Sequence, residues 1–214
     1  VPHHEGNPER TLRAELRVFR IGQVWLTLAI GAIGFGGFFA VISYVAPMVT
    51  DVAHAPAWAV PLILVISGVG MTIGNLLGGR FADRHLRGTL LAGFVGTADV
   101  LALIGLTAQS IVALAALLFT LGIFGSILAP SIQTRLMDAA QDNQPIAAAL
   151  NHSSLNIGNS LGALFGGTVI AAGWGFVAPA WVGVAMALIG LVLAAVSFAL
   201  TRRPRVLAEA SARS

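Results

Sequence analysis

Residues 79–88 read Gly79-Arg80-Phe81-Ala82-Asp83-Arg84-His85-Leu86-Arg87-Gly88, a charged interval between two long apolar stretches. Outward from it, the chain has no positive charge over 21–79, 88–134 and 136–201, while its arginines gather at 10–20, 80–87, Arg135 and 202–213. Lysine is absent, so all 12 basic residues are arginines. Each arginine-free stretch is more than twice the roughly 20 residues that cross a bilayer as a helix. Each is also broken near its middle by a turn-like segment without positive charge. This is the pattern of three helical hairpins dipped into a membrane with every base on one side. Cytoplasmic loops accumulate Arg and Lys, so the amino-terminal segment, 80–87, 135–145 and the tail are expected in the cytoplasm.

Composition agrees. The chain of 214 residues is 57% hydrophobic and 10% charged, with mean hydropathy +0.86. A soluble domain carries about 25% charged residues. The pI near 11.0 invites a nucleic-acid reading, but no basic face with groove-reading or stacking residues lies between the arginine clusters. The basicity is that of a membrane protein's cytoplasmic rim. With no cysteine, disulfides, zinc–thiolate sites and thiol catalysis are excluded. The histidines lack metal-ligand spacing, no nucleophile–base set appears, and no cofactor is expected. The polar start Val1-Pro2-His3-His4-Glu5-Gly6-Asn7-Pro8 has no signal-peptide layout. It reads as a linker, with the chain expected to be a piece of something longer.

The fold class expected is an all-α membrane protein with a linker over 1–20, a six-helix transmembrane unit over 21–201 and a cytoplasmic tail over 202–214. The spans run roughly 23–49, 57–79, 88–108, 111–134, 146–172 and 176–201. Turns are expected at 50–56, 109–110 and Gly173-Trp174-Gly175, and a polar loop at 135–145. Glycine inside a water-soluble helix costs about 1 kcal/mol, whereas in lipid it lets backbones approach closely. Gly70, Gly74 and Gly78 in span two, and Gly158, Gly162 and Gly166 in span five, are therefore read as packing seams.

Asp83 within 79–88 can accept hydrogen bonds from helix N-terminal amides and from guanidinium groups, while the arginines anchor the segment at anionic headgroups. The segment resembles the signature loop of the major facilitator superfamily, with Gly79, Ala82, Asp83, Arg84 and Arg87 matching and Leu86 standing where a second glycine is usual. That substitution suits the degenerate copy between helices eight and nine. Ser43-Tyr44-Val45-Ala46-Pro47 is similar to the end of helix seven in efflux members. Span five, with Asn151, His152, Asn156, Gly158, Asn159, Gly162, Gly166 and Gly167, is similar to helix eleven of the drug:proton antiporters. The resemblance covers residues 15–201.

It implies helices seven to twelve of a twelve-helix transporter, an amino-terminal six-helix half as partner, and a solute cavity between the halves. Proton-coupled efflux of a small apolar or sugar-like solute across a bacterial inner membrane would follow, with a gating loop at Gly79, Asp83, Arg84 and Arg87. A uniporter, an importer, or a six-span assembly partner or membrane-embedded enzyme are the alternatives. The proline–glycine signature of efflux members would lie in helix five; its counterpart here has the glycines without the proline.

Candidate functional residues follow. Asp99 is an acid mid-span, where a charge costs about 2.5–3.5 kcal/mol on insertion scales. It is read either as a proton-coupling site or as a hydrogen bond packed between helices. His152, Asn156 and Asn159 fall within about 60° of one helix face at 100° per residue. They form either a cavity wall or interhelical hydrogen bonds. Phe35, Phe38 and Tyr44 in span one either line the cavity or pack. Arg135 and Asp138, at the cytoplasmic end of span four, are read either as a gate pair or as an exposed pair that stabilises little.

Overall fold

The computed structural model describes residues 16–140 and 144–211, all helix and short connections; the expected linker up to residue 15 lies outside them. A short 3-10 turn, Leu16–Arg20, leads into the first span. That span is a chain of short pieces: α1 (Gly22–Ala29), a widened π turn (Ile30–Gly34), α2 (Gly36–Ile42), the turn Val45–Pro47 and a second π turn, Met48–Val52. Helix therefore continues past the expected end at Val49. Next come α3 (Ala59–Thr107), α4 (Ile111–Ala140), α5 (Gln144–Ala171) and α6 (Ala178–Ser211).

Among the described residues, four segments are long and apolar enough to cross a membrane: Gly22–Ile42, Ala59–Thr107, Ile111–Ala140 and Ala178–Thr201. The second covers two expected spans, because α3 contains a break at His85, whose φ of −145° and ψ of 58° are not helical. α5 is long enough, 28 residues or about 42 Å at 1.5 Å per residue, against a hydrocarbon core of about 30 Å. It falls outside the apolar set because asparagine, serine and glycine dilute its leucine and isoleucine.

Two expected loops are corrected. The tight loop expected at 79–88 is narrowed to a break at His85 with helix on both sides, and the expected loop at 135–145 is shortened by α4, which runs to Ala140; residues 141–143 lie outside the described set. The turn at Gly173 and Gly175 stands, both residues having φ above +80°, a conformation that favours glycine.

Glycine contacts give the helix directions. A Cβ on Gly78 would sit 2.8 Å from Ile127 Cα, and one on Gly93 2.7 Å from Leu128 Cδ2. The two arms of α3 therefore double back and lie against the same level of α4. Along the first arm Gly70, Gly74 and Gly78 meet Phe119, Ile123 and Ile127 in turn, a parallel pairing. The first span is squeezed between α5 and α6. A Cβ on Gly36 would meet Gly158 O at 2.8 Å, and one on Gly37 would lie 3.2 Å from Ala187 N. It runs parallel to α5 and antiparallel to α6, the alternation that six crossings require.

The core is layered along the bundle. Val18, Val24, Leu136 and Ala147 fill the arginine-bearing end, and Ile30, Leu90, Phe94 and Ile132 the middle. Phe38, Met48, Leu101, Leu118 and Leu121 fill the far end.

Candidate transport and gating sites

The site begins with how α5 divides its circumference. Ala147, Asn151, Ser154, Gly158, Gly162 and Gly166 are buried along one edge. Because a Cβ on Gly158 would fall 2.8 Å from Gly31 O, and one on Gly162 2.9 Å from Ala40 N, this edge is bare backbone against backbone. Ser154 Oγ donates to Leu28 O at 2.9 Å across the same seam. His152, Asn156 and Asn159 are all exposed, about a quarter-turn or more away. Ser160, next to them, spends its hydroxyl proton on Asn156 O at 3.0 Å. The small residues thus fix α5 against the first span, and the polar stripe is presented outward from this bundle.

Phe35 and Phe38 are placed differently. Phe38 is 1% exposed and Phe35 8%. With Phe39 they form an aromatic cluster whose ring centroids lie 5.1 to 6.0 Å apart. A Cβ on Gly125 would press into the Phe38 ring, so α4 closes over it. Tyr44 lies on the seam. Its hydroxyl donates to Ala163 O at 2.5 Å, and its ring covers Gly166, whose added Cβ would be 2.7 Å from Tyr44 Cε2. Sequence had grouped these three with the α5 stripe; the structure brings only Tyr44 to α5, on its buried edge.

Asp99 is exposed on the outside of the second arm of α3. The expected hydrogen bond packed between helices is therefore corrected. Its helix neighbours turn Thr97, Ala98, Val100 and Leu101 inward instead. Around the break at His85, Ala82 is buried at 3%, while Asp83, Arg84, His85 and Arg87 are all exposed. Nothing lies within 4 Å of a Cβ built on Gly79 or Gly88. The charged groups of this turn thus face away from the bundle.

Arg135 is the residue that sequence misplaced. Expected in a gate pair or an exposed pair with Asp138, it is 6% exposed and bonds to neutral groups of two other spans. Its Nε donates to Ser197 Oγ at 3.3 Å, and Nη2 reaches Gln23 Oε1 at 3.1 Å, Ser197 Oγ at 2.9 Å, Ser197 O at 3.3 Å and Thr201 Oγ1 at 2.8 Å. With two hydrogens for four oxygens, these bonds are shared. Ser197 Oγ donates onward to Gln23 Oε1 at 2.8 Å, and Thr201 Oγ1 to Ser197 O at 2.8 Å. The guanidinium carbon stands 4.8 Å from the Phe198 ring centroid, within cation–π range. The knot ties the start of the first span to the ends of α4 and α6. The available signal was Ser197 and Thr201 at i, i+4 spacing, one polar face at the end of an otherwise apolar helix.

Among the described residues, no group of three or more His, Asp or Glu side chains could hold a metal ion.

A bundle of long apolar helices joined at glycine-bared seams is that of an integral membrane protein. The chain belongs to the major facilitator superfamily, whose family model matches residues 24–213. It is 33% identical over 165 residues to the inner membrane transport protein YdhP of Escherichia coli strain K12, covering 77% of this chain and 42% of that protein. It is 29% identical over 164 residues to the chloramphenicol resistance protein of Streptomyces lividans, covering 74% of this chain and 41% of the relative. The chain thus spans less than half the length of these curated relatives. The superfamily consists of transporters rather than enzymes.

Proposed function

We propose that this chain forms the carboxy-terminal half of a proton-coupled efflux permease of a bacterial inner membrane, with both ends cytoplasmic. It would export a small apolar or sugar-like solute. An amino-terminal six-helix half supplies the opposite wall, and the two halves rock about a central cavity. The observation that carries this reading is the exposed His152, Asn156 and Asn159 stripe on α5. Polar groups at membrane depth face a protein partner or a water-filled cavity rather than lipid. A second half would convert this outward face into an inner one. The relatives named for inner-membrane transport and chloramphenicol resistance support the location and the kind of solute.

In this reading Asn156 and Asn159 touch the solute, with His152 nearer the cytoplasmic mouth. Phe35, Phe38 and Tyr44 stand behind the wall, setting the position of the first span. The outward Asp83, Arg84 and Arg87 engage the other half when the cytoplasmic side closes, and Gly79, with open space around it, lets that surface approach. Asp99 is the mid-span carboxyl group available to carry a proton.

The test uses the full-length parent protein in inverted vesicles, with solute efflux measured with and without a pH gradient across a compound panel. Gradient-dependent pumping is expected, falling at least tenfold in Asn156→Leu and Asn159→Leu while insertion is unchanged. Pumping indifferent to collapse of the gradient would sink proton antiport. Undiminished pumping by Asp99→Asn would remove Asp99 from the coupling path.

A further inference from the structure

A groove of about 330 Å³ opens between the first span and α5 on the side away from the asparagine stripe. Phe19, Trp25, Leu28 and Ala32 form one wall, Leu150 and Ile157 the other. Trp25 and Ile157 are more than half exposed, at 55% and 52%, so the groove opens sideways from the bundle. From Trp25 to Ala32, and from Leu150 to Ile157, each wall runs about 10 Å along its helix axis at 1.5 Å per residue. That depth stays within the half of a hydrocarbon core about 30 Å thick nearest the arginine-bearing end.

Its polar groups are already engaged. Trp25 Nε1 donates to Phe19 O at 2.7 Å, Ser153 Oγ to Ala149 O at 3.1 Å and Ser154 Oγ to Leu28 O at 2.9 Å. No donor is left pointing at an occupant, so the groove suits hydrocarbon rather than a hydrogen-bonding solute. A charge adjoins it: Arg20, which is exposed, directly follows the lining Phe19. The sequence places Arg10, Arg13 and Arg17 just upstream. An apolar slot about 10 Å deep, with an exposed arginine next to its lining residue Phe19, complements one molecule with a hydrocarbon tail and an anionic head. Arginine is suited to the bidentate recognition of phosphate, and the cytoplasmic leaflet is the anionic one.

We infer that this groove is a binding site for an anionic phospholipid, with one acyl chain between the first span and α5 and its phosphate at Arg20. The site lies apart from the asparagine stripe and does not depend on the transport reading.

The test keeps Trp25 as the only indole of the full-length parent by replacing its other tryptophans, including Trp58, Trp174 and Trp181, with Phe. The protein is placed in nanodiscs holding dibrominated phosphatidylglycerol or dibrominated phosphatidylcholine at equal mole fraction. Quenching of Trp25 is expected to be at least twofold stronger with the anionic lipid. That preference should vanish in Arg20→Gln, an exposed substitution that leaves the bundle intact. It should fall in Ala32→Leu, which narrows the groove. Equal quenching by the two lipids, or a preference that survives Arg20→Gln, would overturn the proposal. Absence of quenching by either lipid would mean that protein covers the groove, and would overturn it equally.

Discussion

Two arginine-bearing regions border the same end of the bundle and are built in opposite ways. Around His85, Arg80, Arg84 and Arg87 are exposed with Asp83, and only Ala82 turns inward. Further along the chain, Arg135 is enclosed and bonded to Gln23, Ser197 and Thr201. Both would count equally in a positive-inside tally. The first region is a charged surface available to a partner or headgroups. The second is an internal fastener joining three spans, and its charge is incidental to topology. Equal charge in sequence conceals unequal work in space.

The sharpest way to break this comparison is Arg135→Leu. It removes every guanidinium bond to Gln23, Ser197 and Thr201 and leaves only the Ser197–Gln23 and Thr201–Ser197 bonds of the knot, and hydrogen bonds to charged groups contribute about 1.5–3 kcal/mol. A loss of about 3 kcal/mol in detergent unfolding titrations is expected, with Arg135→Lys recovering part of it. A loss below about 0.5 kcal/mol would reduce Arg135 to a surface-type charge. Next is Gly162→Ala, whose Cβ would lie 2.9 Å from Ala40 N and 3.1 Å from Gly36 C. Backbone cannot move aside as a side chain does, so a cost of about 1–3 kcal/mol is expected. Gly79→Ala, with nothing within 4 Å, should cost nothing in packing. Equal effects of the two alanines on unfolding would undo the seam.

Tyr44→Phe removes a single hydrogen bond to Ala163 O. Interhelical bonds of this kind average about 0.6 kcal/mol, so the same titration should register a small loss. Smallest of all, Arg84→Gln and Arg87→Gln should stay within about 0.5 kcal/mol of the parent. Transport by the full-length protein should nonetheless fall, because these groups would act on the other half. Stability losses comparable with Arg135→Leu would erase the distinction between the two regions.

Much of the fold was legible in sequence because the bilayer imposes simple demands. Residues 23–49, 57–79, 88–108 and 111–134 had to be helical, since a backbone in hydrocarbon must satisfy its own hydrogen bonds. The glycine spacing at 158, 162 and 166 correctly marked a helix contact. Sequence could not say which side of a helix faces which neighbour. Of the two readings of Asp99, the one that packed it between helices rested on its being an acid in an apolar run; its actual exposure depends on how α3 rotates against α4. Phe35 and Phe38 were left between lining a cavity and packing, because sequence shows only that they share a span. Packing against Gly125 encloses Phe38. Arg135 was missed because its partners lie 112, 62 and 66 residues away, beyond any local pattern.

Sequence alone determined the class of the protein, the helical course of its chain and the end at which its charges gather, through composition, the length of apolar runs and the placement of twelve arginines. These are one-dimensional properties, and the membrane reads them along one axis. Tertiary structure decided which polar groups are spent and which remain on show. Ser154, Tyr44 and Arg135 are consumed in joining spans, while His152, Asn156, Asn159 and the charges around His85 face outward. That choice depends on helix rotation and close approach, set by glycine-bared backbones meeting across segments more than a hundred residues apart.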